Sequence, residues 1–154
     1  MTATIKKLIG CEEWCSFPSL GIAAIKARVD SGAKTSCIHA MNIRVVKREG
    51  VRWVKFDIHP LQKNRRTHLS CEAKLVDRRV IKSSSGDTQK RVVIAVPMTL
   101  GDDTWEVQLT LTNRDSMGYR MLLGREAMVG RVIIDPELQF CMGNLSDSEA
   151  LSQY

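Results

Sequence analysis

Asp30, Ser31 and Gly32 are the residues of this sequence whose types and order are best suited to chemistry. They follow an apolar-rich run, residues 22–29, that predicts a strand. A carboxylate can activate water as a general base, and a protonated neighbouring carboxyl can polarise a carbonyl group and protonate a leaving amine. Two carboxyls about 3 Å apart share one proton, because ionising both is costly. Gly32 allows the sharp turn that such a close approach requires.

The triplet by itself indicates little, because Asp, Ser and Gly are common in ordinary turns. Its context is stronger: a predicted strand precedes it, and an apolar, apolar, glycine segment at residues 122–124 follows about ninety residues later. The sequence holds no second Asp-Ser/Thr-Gly triplet, since residues 115–117 read Asp-Ser-Met. Chemistry that needs two carboxylates would therefore need two copies of the chain, with one Asp30 from each meeting at a twofold axis.

The bulk composition is typical of one globular domain. The chain has 154 residues, of which 44% are hydrophobic and 26% charged. No apolar run reaches the roughly 18 residues of a membrane helix, and the first ten residues lack the apolar segment of a secretory signal. The five cysteines are odd in number and irregular in spacing. We therefore expect a cytoplasmic protein with reduced thiols and no membrane association.

Strand patterns dominate the chain. Residues 42–47 and 51–58 predict one hairpin, and residues 91–100 and 104–112 predict another. The remaining predictions are a long exposed hairpin tip over 82–91, a short helix over 125–129, a buried strand over 132–134 and a last strand over 139–142. The expected fold is mainly β, a small closed β-barrel with one short helix. It would form a single domain over residues 1–143, followed by a flexible C-terminal tail over 144–154.

The net charge of +6 is concentrated in residues 63–82. This segment contains two acidic residues, Glu72 and Asp77. It contains seven basic residues: Lys63, Arg65, Arg66, Lys74, Arg78, Arg79 and Lys82. Such a patch could attract an acidic peptide or a nucleic acid, although an ordinary solvated surface is the simpler interpretation. The three tryptophans do not interleave with the basic residues, so nucleic-acid binding is not favoured. An RNA-associated role is an alternative that only the charge supports.

Other patterns for chemistry are weak. The three histidines are scattered, and Cys11 and Cys15 have no second cysteine pair to complete a zinc site. No phosphate-binding Gly-x4-Gly-Lys-Ser/Thr motif is present, so ATP binding by this chain is not expected. Cys37 and His39 could form a thiol nucleophile pair, but a buried structural cysteine is the simpler interpretation. We predict no metal and no other cofactor.

Two segments taken together resemble the retropepsin-like aspartic proteases: residues 29–36 (VDSGAKTS) and 121–125 (MLLGR). The resemblance is strongest to a bacterial branch that carries the name ATP-dependent zinc proteases. It extends to three further stretches, residues 25–28, 109–115 and 119–125. Genes of that branch often lie beside those of ATP-grasp ligases, such as the enzyme that adds glutamates to a ribosomal protein. The resemblance covers about residues 8–143, nearly the whole chain.

This resemblance implies an acid-protease barrel and an aspartic endopeptidase whose catalytic residue is Asp30. It implies substrate contacts from the Asp turn and from a flap over residues 83–89, namely Ser31, Gly32, Ala33, Ser84, Ser85 and Gly86. It implies support of the site from Lys34, Thr35, Leu122, Leu123, Gly124 and Arg125, with residues 122–124 as a supporting loop. The implied partners are a peptide or protein substrate, a second copy of the chain, and an ATP-grasp ligase or a ribosomal protein.

One position departs from the family pattern. Retroviral members usually carry an acid after the alanine of the motif, and it pairs with the arginine that corresponds to Arg125. Lys34 stands at that position in this chain and cannot pair with Arg125. We therefore expect Glu126 or another acid to substitute for the missing acid. The basic segment 63–82 suggests acidic substrates, including glutamate-rich ones. The alternative is a non-catalytic peptide-binding or regulatory module that works with an ATP-grasp ligase.

Overall fold

Strands account for most of the chain in the computed structural model, which describes residues 5–62, 64–82, 85–113 and 118–154. The strands are β1 (Lys7–Ile9), β2 (Glu12–Phe17), β3 (Ile22–Asp30), β4 (Ser36–His39), β5 (Met41–Arg48), β6 (Val51–Ile58), β7 (Leu69–Lys82), β8 (Thr88–Leu100), β9 (Asp103–Thr112), β10 (Met121–Gly124) and β11 (Val132–Ile134). The helices are α1 (Arg125–Met128) and α2 (Asp147–Ser152). The prediction of a mainly β fold is confirmed.

Nine strands form one sheet in the order β2-β3-β10-β4-β9-β8-β7-β6-β5. A further pairing of Ser16 on β2 with Thr99 on β8 joins six of these strands into a ring. Strands β7, β6 and β5 extend the sheet beyond the ring, and β1 pairs with β11 in a separate parallel sheet. Both predicted hairpins are present, as β5–β6 and β8–β9. This arrangement places parallel and antiparallel pairs side by side around Asp30.

The core lies where inward-facing residues of these strands meet. On β6, Val54, Phe56 and Ile58 are buried at every second position, as the alternation of the sequence predicts. Other large side chains of the core include Phe17, Ile25, Ile38, Ile94, Met98, Leu109, Met121 and Leu123. Each such side chain contributes about 1.5–3 kcal/mol through removal of apolar surface from water. Residues from both flanks of the Asp30 turn therefore share one core.

Two predicted elements differ in the structure. Strand residues extend into both ends of the predicted hairpin tip over 82–91, because β7 continues to Lys82 and β8 begins at Thr88. Arg91, expected to be exposed there, is buried. The predicted strand over 132–134 is present as β11, but Ile133 is 56% exposed, so the strand is buried only in part. Residues 63, 83, 84 and 114–117, which include Ser84, lie outside the described residues.

The predicted strand over 139–142 is wrong, and the buried carboxylate of Glu13 explains why. Its Oε2 accepts hydrogen bonds from the backbone N–H groups of Gly10 at 2.8 Å and Cys141 at 2.9 Å. Its Oε1 accepts one from the N–H of Met142 at 3.0 Å. The donors that a strand ladder would use are thus bonded to a side chain of β2. The segment wraps around this carboxylate instead of pairing with a strand.

The predicted tail contains a second helix, α2, which the sequence analysis did not anticipate. Ser146 and Glu149 form a capping box: Ser146 Oγ accepts from Glu149 N–H, and Glu149 Oε1 accepts from Ser146 N–H. Such reciprocal bonds satisfy two of the free donors at a helix N-terminus. Beyond α2, the hydroxyl of Tyr154 accepts a hydrogen bond at 2.9 Å from the N–H of Ala24 on β3. The last residues therefore contact the strand that ends at Asp30.

The Glu13→Gln variant should lower the free energy of unfolding by about 2–3 kcal/mol, because its amide nitrogen would face at least one buried backbone donor. Urea denaturation measures this change. Glu106→Gln, at an exposed position of β9, is the matched control and should change the free energy by less than about 0.5 kcal/mol. Equal stability of the two variants would contradict a stabilising role for the Glu13 carboxylate.

Candidate active site

Asp30 is the last residue of β3, and the tight turn that follows fixes its carboxylate. The N–H of Gly32 donates to Asp30 Oδ1 at 3.0 Å, and the N–H of Ala33 donates to the Asp30 carbonyl at 3.2 Å. The first bond orients the side chain, and the second closes the backbone of the turn. Asp30 is half-buried, so its carboxylate remains accessible while its direction is restricted.

The segment expected to be a supporting loop, residues 122–124, is the end of strand β10. This strand runs parallel to β3, with Leu123 opposite Val29 and Gly124 opposite Asp30. Its other edge pairs antiparallel with β4. Leu123 is fully buried in the core. A strand paired on both sides positions the Asp30 turn more rigidly than a loop would.

Gly124 is required where it stands, because the backbone of the following segment passes very close to it. A Cβ atom there would lie 2.7 Å from the Thr35 carbonyl carbon and 2.8 Å from the Ser36 nitrogen. The Gly124 N–H donates to the buried Ser36 Oγ at 2.9 Å, and the next N–H, of Arg125, donates to the Ala33 carbonyl at 2.8 Å. These contacts join β10, the Asp30 turn and β4 into one unit.

Arg125 and Lys34 each have a partner that the family pattern did not predict. Arg125 Nη1 donates to the carbonyls of Ser31 at 3.1 Å and Gly32 at 3.4 Å, so it braces the turn through its backbone. Lys34 Nζ lies 3.8 Å from Glu126 Oε1, which is the acid proposed to replace the usual partner. Both side chains of this pair are largely exposed, so the pair contributes little to stability.

A cleft of about 870 Å³ opens beside Asp30. Its described lining comes from the Asp30 turn and β4 on one side and from the β7–β8 hairpin on the other. The hairpin residues at the cleft are Arg79, Val80, Ile81, Lys82, Ser85 and Arg91. Asp30 therefore lines a space whose volume is typical of ligand-binding clefts and whose far wall is a hairpin.

The sequence-predicted site residues are partly brought together at this cleft. Its lining includes Asp30 and these predicted residues: Gly32, Ala33, Lys34, Thr35, Ser85, Leu122 and Arg125. Ser31 is exposed at the turn, where its carbonyl accepts from Arg125, and Gly86 is exposed at the hairpin tip. Neither Ser31 nor Gly86 belongs to the lining, and Leu123 and Gly124 support it from the core.

Sequence reasoning missed the residues that β4, β8 and β9 contribute, namely Cys37, Arg91 and Thr110. Cys37 was considered as a nucleophile, but its Sγ accepts a hydrogen bond from Arg91 Nη1 at 3.4 Å. Arg91 carried a signal that was available: it lies two positions before the buried Val93, on the same face of a strand. A cation on a buried face of a strand is unusual and indicates a polar site.

The described lining of the cleft is strongly cationic. Asp30 is its single carboxylate, against five basic side chains: Lys34, Arg79, Lys82, Arg91 and Arg125. Cations that converge in a cleft raise the local concentration of anionic ligands and speed their association. Two of the five, Arg79 and Lys82, come from the basic segment noted in the sequence. The positive potential is therefore directed at the space next to Asp30.

The zinc site implied by the name of the resembled branch does not fit the described residues. In that part of the chain, no three His, Cys, Asp or Glu side chains cluster closely enough to hold a metal ion. Burial raises the pKa of the Cys15 thiol to about 12 and that of the Cys71 thiol to about 11, so neither is a ready thiolate ligand.

No helix within the described ranges is long and apolar enough to cross a bilayer.

Residues 8–144 match the model of the RimB-like family, which is described as retropepsin-like aspartic endopeptidase RimB. Two curated relatives are named probable alpha-L-glutamate ligase. The one from Shewanella pealeana is 61% identical over 149 residues, which are 97% of this chain and 32% of that protein. The one from Parasynechococcus marenigrum is 50% identical over 151 residues, which are 98% of this chain and 32% of that protein.

The chain thus spans about a third of the length of the curated relatives it matches. A crystal structure of a protein of unknown function from Legionella pneumophila superimposes with a TM-score of 0.75. It is 26% identical in sequence, and the match covers 90% of this chain and 99% of that chain. The fold described above is therefore shared with a solved protein along almost its whole length.

The Gly124→Ala variant should lower the free energy of unfolding by about 2–3 kcal/mol, because its methyl group meets backbone atoms that cannot move independently. Gly32→Ala is the matched control. Its methyl group would lie 3.2 Å from the Asp30 side chain alone, so we expect a loss below about 1 kcal/mol. Chemical denaturation of both variants checks the difference. A Gly124→Ala protein as stable as the control would show that the close approach is not a constraint.

Proposed function

We propose that this chain, which belongs to the RimB-like family of retropepsin-like aspartic endopeptidases, hydrolyses peptide bonds with Asp30 as its catalytic carboxylate. The observation that carries the proposal is the placement of Asp30. It ends a strand, its carboxylate is held by the Gly32 N–H, and it opens into a cleft under a β-hairpin. A carboxylate with a fixed direction and access to an extended peptide meets the geometric requirement for a general base.

The chain supplies one such aspartate, so the proposed enzyme is a homodimer in which two Asp30 carboxyls meet and share a proton. The ionised carboxylate takes a proton from water while the water oxygen bonds to the carbonyl carbon. The protonated carboxyl gives its proton to the carbonyl oxygen. When the tetrahedral intermediate collapses, the carbon–nitrogen bond breaks and the carboxyl that took the proton from water gives it to the amine nitrogen. The other carboxylate takes a proton from a hydroxyl of the intermediate, so the dyad returns to its singly protonated state.

The proposed substrate is an extended, acidic peptide. An extended peptide between the Asp30 turn and the β7–β8 hairpin could pair with strand backbone, and its side chains would then alternate between the walls of the cleft. The five cations of the described lining favour carboxylate side chains, including those of glutamate-rich segments. The basic side chains beside Asp30 thus support the preference for acidic peptides that is proposed from the basic segment of the sequence.

The proposed partner is an ATP-grasp glutamate ligase. Relatives named probable alpha-L-glutamate ligase contain a region 50–61% identical to almost all of this chain. A ligase that attaches glutamates and a peptidase that accepts acidic peptides would act on the same material, which could be a tail on a ribosomal protein.

The alternative is a regulatory module that binds acidic peptide for a ligase without cleaving it. Two observations favour it: the match to ligase-named relatives, and the pairing of Lys34 with Glu126 within one chain. In that case the Asp30 turn would serve only as a binding surface. The two functions differ in whether replacing Asp30 removes hydrolysis or only changes affinity.

The Asp30→Asn variant should lose at least about a thousandfold in kcat for cleavage of a glutamate-rich peptide, because an amide can neither accept nor donate the transferred proton. Release of new amino termini measures the rate. Asp102→Asn removes an exposed carboxylate from the β8–β9 turn and should keep full activity. Hydrolysis that survives in Asp30→Asn would exclude Asp30 as the catalyst.

A mixing experiment separates a shared dyad from a site within one chain. At constant total chain concentration, exchanging Asp30→Asn chains into the wild-type protein should reduce activity with the square of the wild-type fraction, to about one quarter in an equal mixture. A site within one chain would keep about one half, so a linear decrease would contradict the dyad. Sedimentation of the same mixtures verifies that the chains associate and exchange.

The preference for acidic peptides should depend on salt. Raising the ionic strength from about 0.05 to 0.5 M should reduce kcat/KM for an acidic peptide severalfold and leave that for its glutamine analogue nearly unchanged, because exposed charges are screened. Parallel assays of the two peptides measure this ratio. If both peptides respond equally to salt, or neither is preferred, the cationic lining does not select the substrate.

A further inference from the structure

Arg91 is a buried cation in the wall of the cleft, with 8% of its surface exposed. It lies near the start of β8, opposite Arg79 on β7. Arg91 and the buried Val93 lie on the face of β8 opposite to the core residue Ile94, whereas the neighbouring Lys90 is exposed. An arginine is rarely so buried unless an anion compensates its charge, because removing a cation from water is costly.

The side-chain partners of Arg91 are neutral. Its Nε donates to Gln89 Oε1 at 2.9 Å, and that oxygen also accepts from the buried Thr112 hydroxyl at 3.0 Å. Its Nη1 donates to Cys37 Sγ at 3.4 Å. Gln89 therefore fixes the guanidinium from one side, and Thr112 fixes Gln89 in turn. These contacts hold the group in place without neutralising it.

The neighbouring arginine shows the contrast. Arg79 Nε lies 2.8 Å from Asp77 Oδ2, so its charge is paired within β7. Among the described residues, no carboxylate lies within ion-pair distance of Arg91, although it is the more buried of the two. A guanidinium has five N–H donors, and the two bonds above leave three for a further acceptor. The geometry is that of a preformed carboxylate subsite whose acceptor comes from a ligand.

We propose that Arg91 determines specificity by binding one carboxylate of the peptide beside the scissile bond. The inference rests on the proposed peptidase function and deepens it. The exposed cations would attract acidic peptides in general, whereas the one buried and oriented arginine would select a carboxylate at one position of the bound peptide. A bound carboxylate would complete an ion pair inside the cleft, where screening by solvent is weak. The carboxylate belongs either to a glutamate or aspartate side chain or to the C-terminus of the peptide.

The test uses binding in the full-length Asp30→Asn protein, so that hydrolysis does not interfere. The probes are heptapeptides of Ala and Gln with a blocked N-terminus and a single Glu moved through the seven positions, each made with a free and an amidated C-terminus. A fluorescent peptide is displaced to measure affinity. We expect one Glu position to bind about 10- to 100-fold more tightly than its Gln counterpart, which is the strength of hydrogen bonds to a charged group. If the C-terminus is the ligand, the free acid binds more tightly than the amide.

Three substitutions in the same background then assign the effect. Arg91→Gln should abolish the advantage of the preferred carboxylate, and Arg91→Lys should restore part of it, because lysine keeps the charge but lacks the planar fork. Lys90→Gln removes the adjacent exposed charge and should leave the position preference unchanged. Thermal denaturation checks that each variant is folded. If Arg91→Gln does not fold, Arg91→Lys carries the test, since an unchanged preference in that variant overturns the proposal.

The outcomes separate this inference from the peptidase function. Position-selective binding that Arg91→Gln abolishes supports the subsite even if the wild-type protein cleaves no peptide, in which case the peptidase proposal fails alone. Cleavage by the wild-type protein together with a position preference that survives Arg91→Gln overturns the subsite and leaves the peptidase proposal intact. If the Asp30→Asn protein shows neither a position preference nor a preference for the free C-terminus over the amide, the subsite is also overturned.

Discussion

The close approach of Gly124 to the backbone of residues 35 and 36 is the constraint on which the site depends. At this point a Cβ atom would lie less than 3 Å from main-chain atoms. Because no side chain intervenes, β10 can pair with β3 and β4 at once while the N–H of Arg125 bonds to the Ala33 carbonyl. The backbone of β10 and the backbone leading into β4 therefore both hold the Asp30 turn, and this restricts the motion of the Asp30 carboxylate.

Charge organises the remainder of the cleft. The hairpin that faces Asp30 supplies three cations, Arg79, Lys82 and Arg91, which differ in how their charges are balanced. Arg79 is paired with Asp77, Lys82 is exposed to solvent, and Arg91 is buried among neutral groups. Exposed charges attract ligands over distance and are screened by salt, whereas a buried charge selects by direct contact. The exposed Lys82 would thus attract an anionic ligand to the cleft, and the buried Arg91 would select the ligand by direct contact.

Local patterns predicted the elements whose causes are local. The alternation in β6, the two predicted hairpins and the short helix after Gly124 appear as expected. The failures occur where a distant residue intervenes. Glu13 takes the backbone donors of residues 141 and 142, which prevents the predicted last strand. No pattern within residues 139–142 contains that information, because the acceptor lies about 130 residues away in the chain.

The sequence by itself determined the mainly β fold, the family and the turn that carries Asp30, because each depends on residue types at short spacing. Tertiary structure alone decided that residues 122–124 form a strand rather than a loop, and that Lys34 lies near Glu126 while Arg125 braces the turn. It also decided that Arg91, which was expected at an exposed tip, is buried in the wall of the Asp30 cleft. The physical reason is register: pairing between strands far apart in the chain fixes which face of each strand meets the cleft, and residue spacing does not encode that pairing.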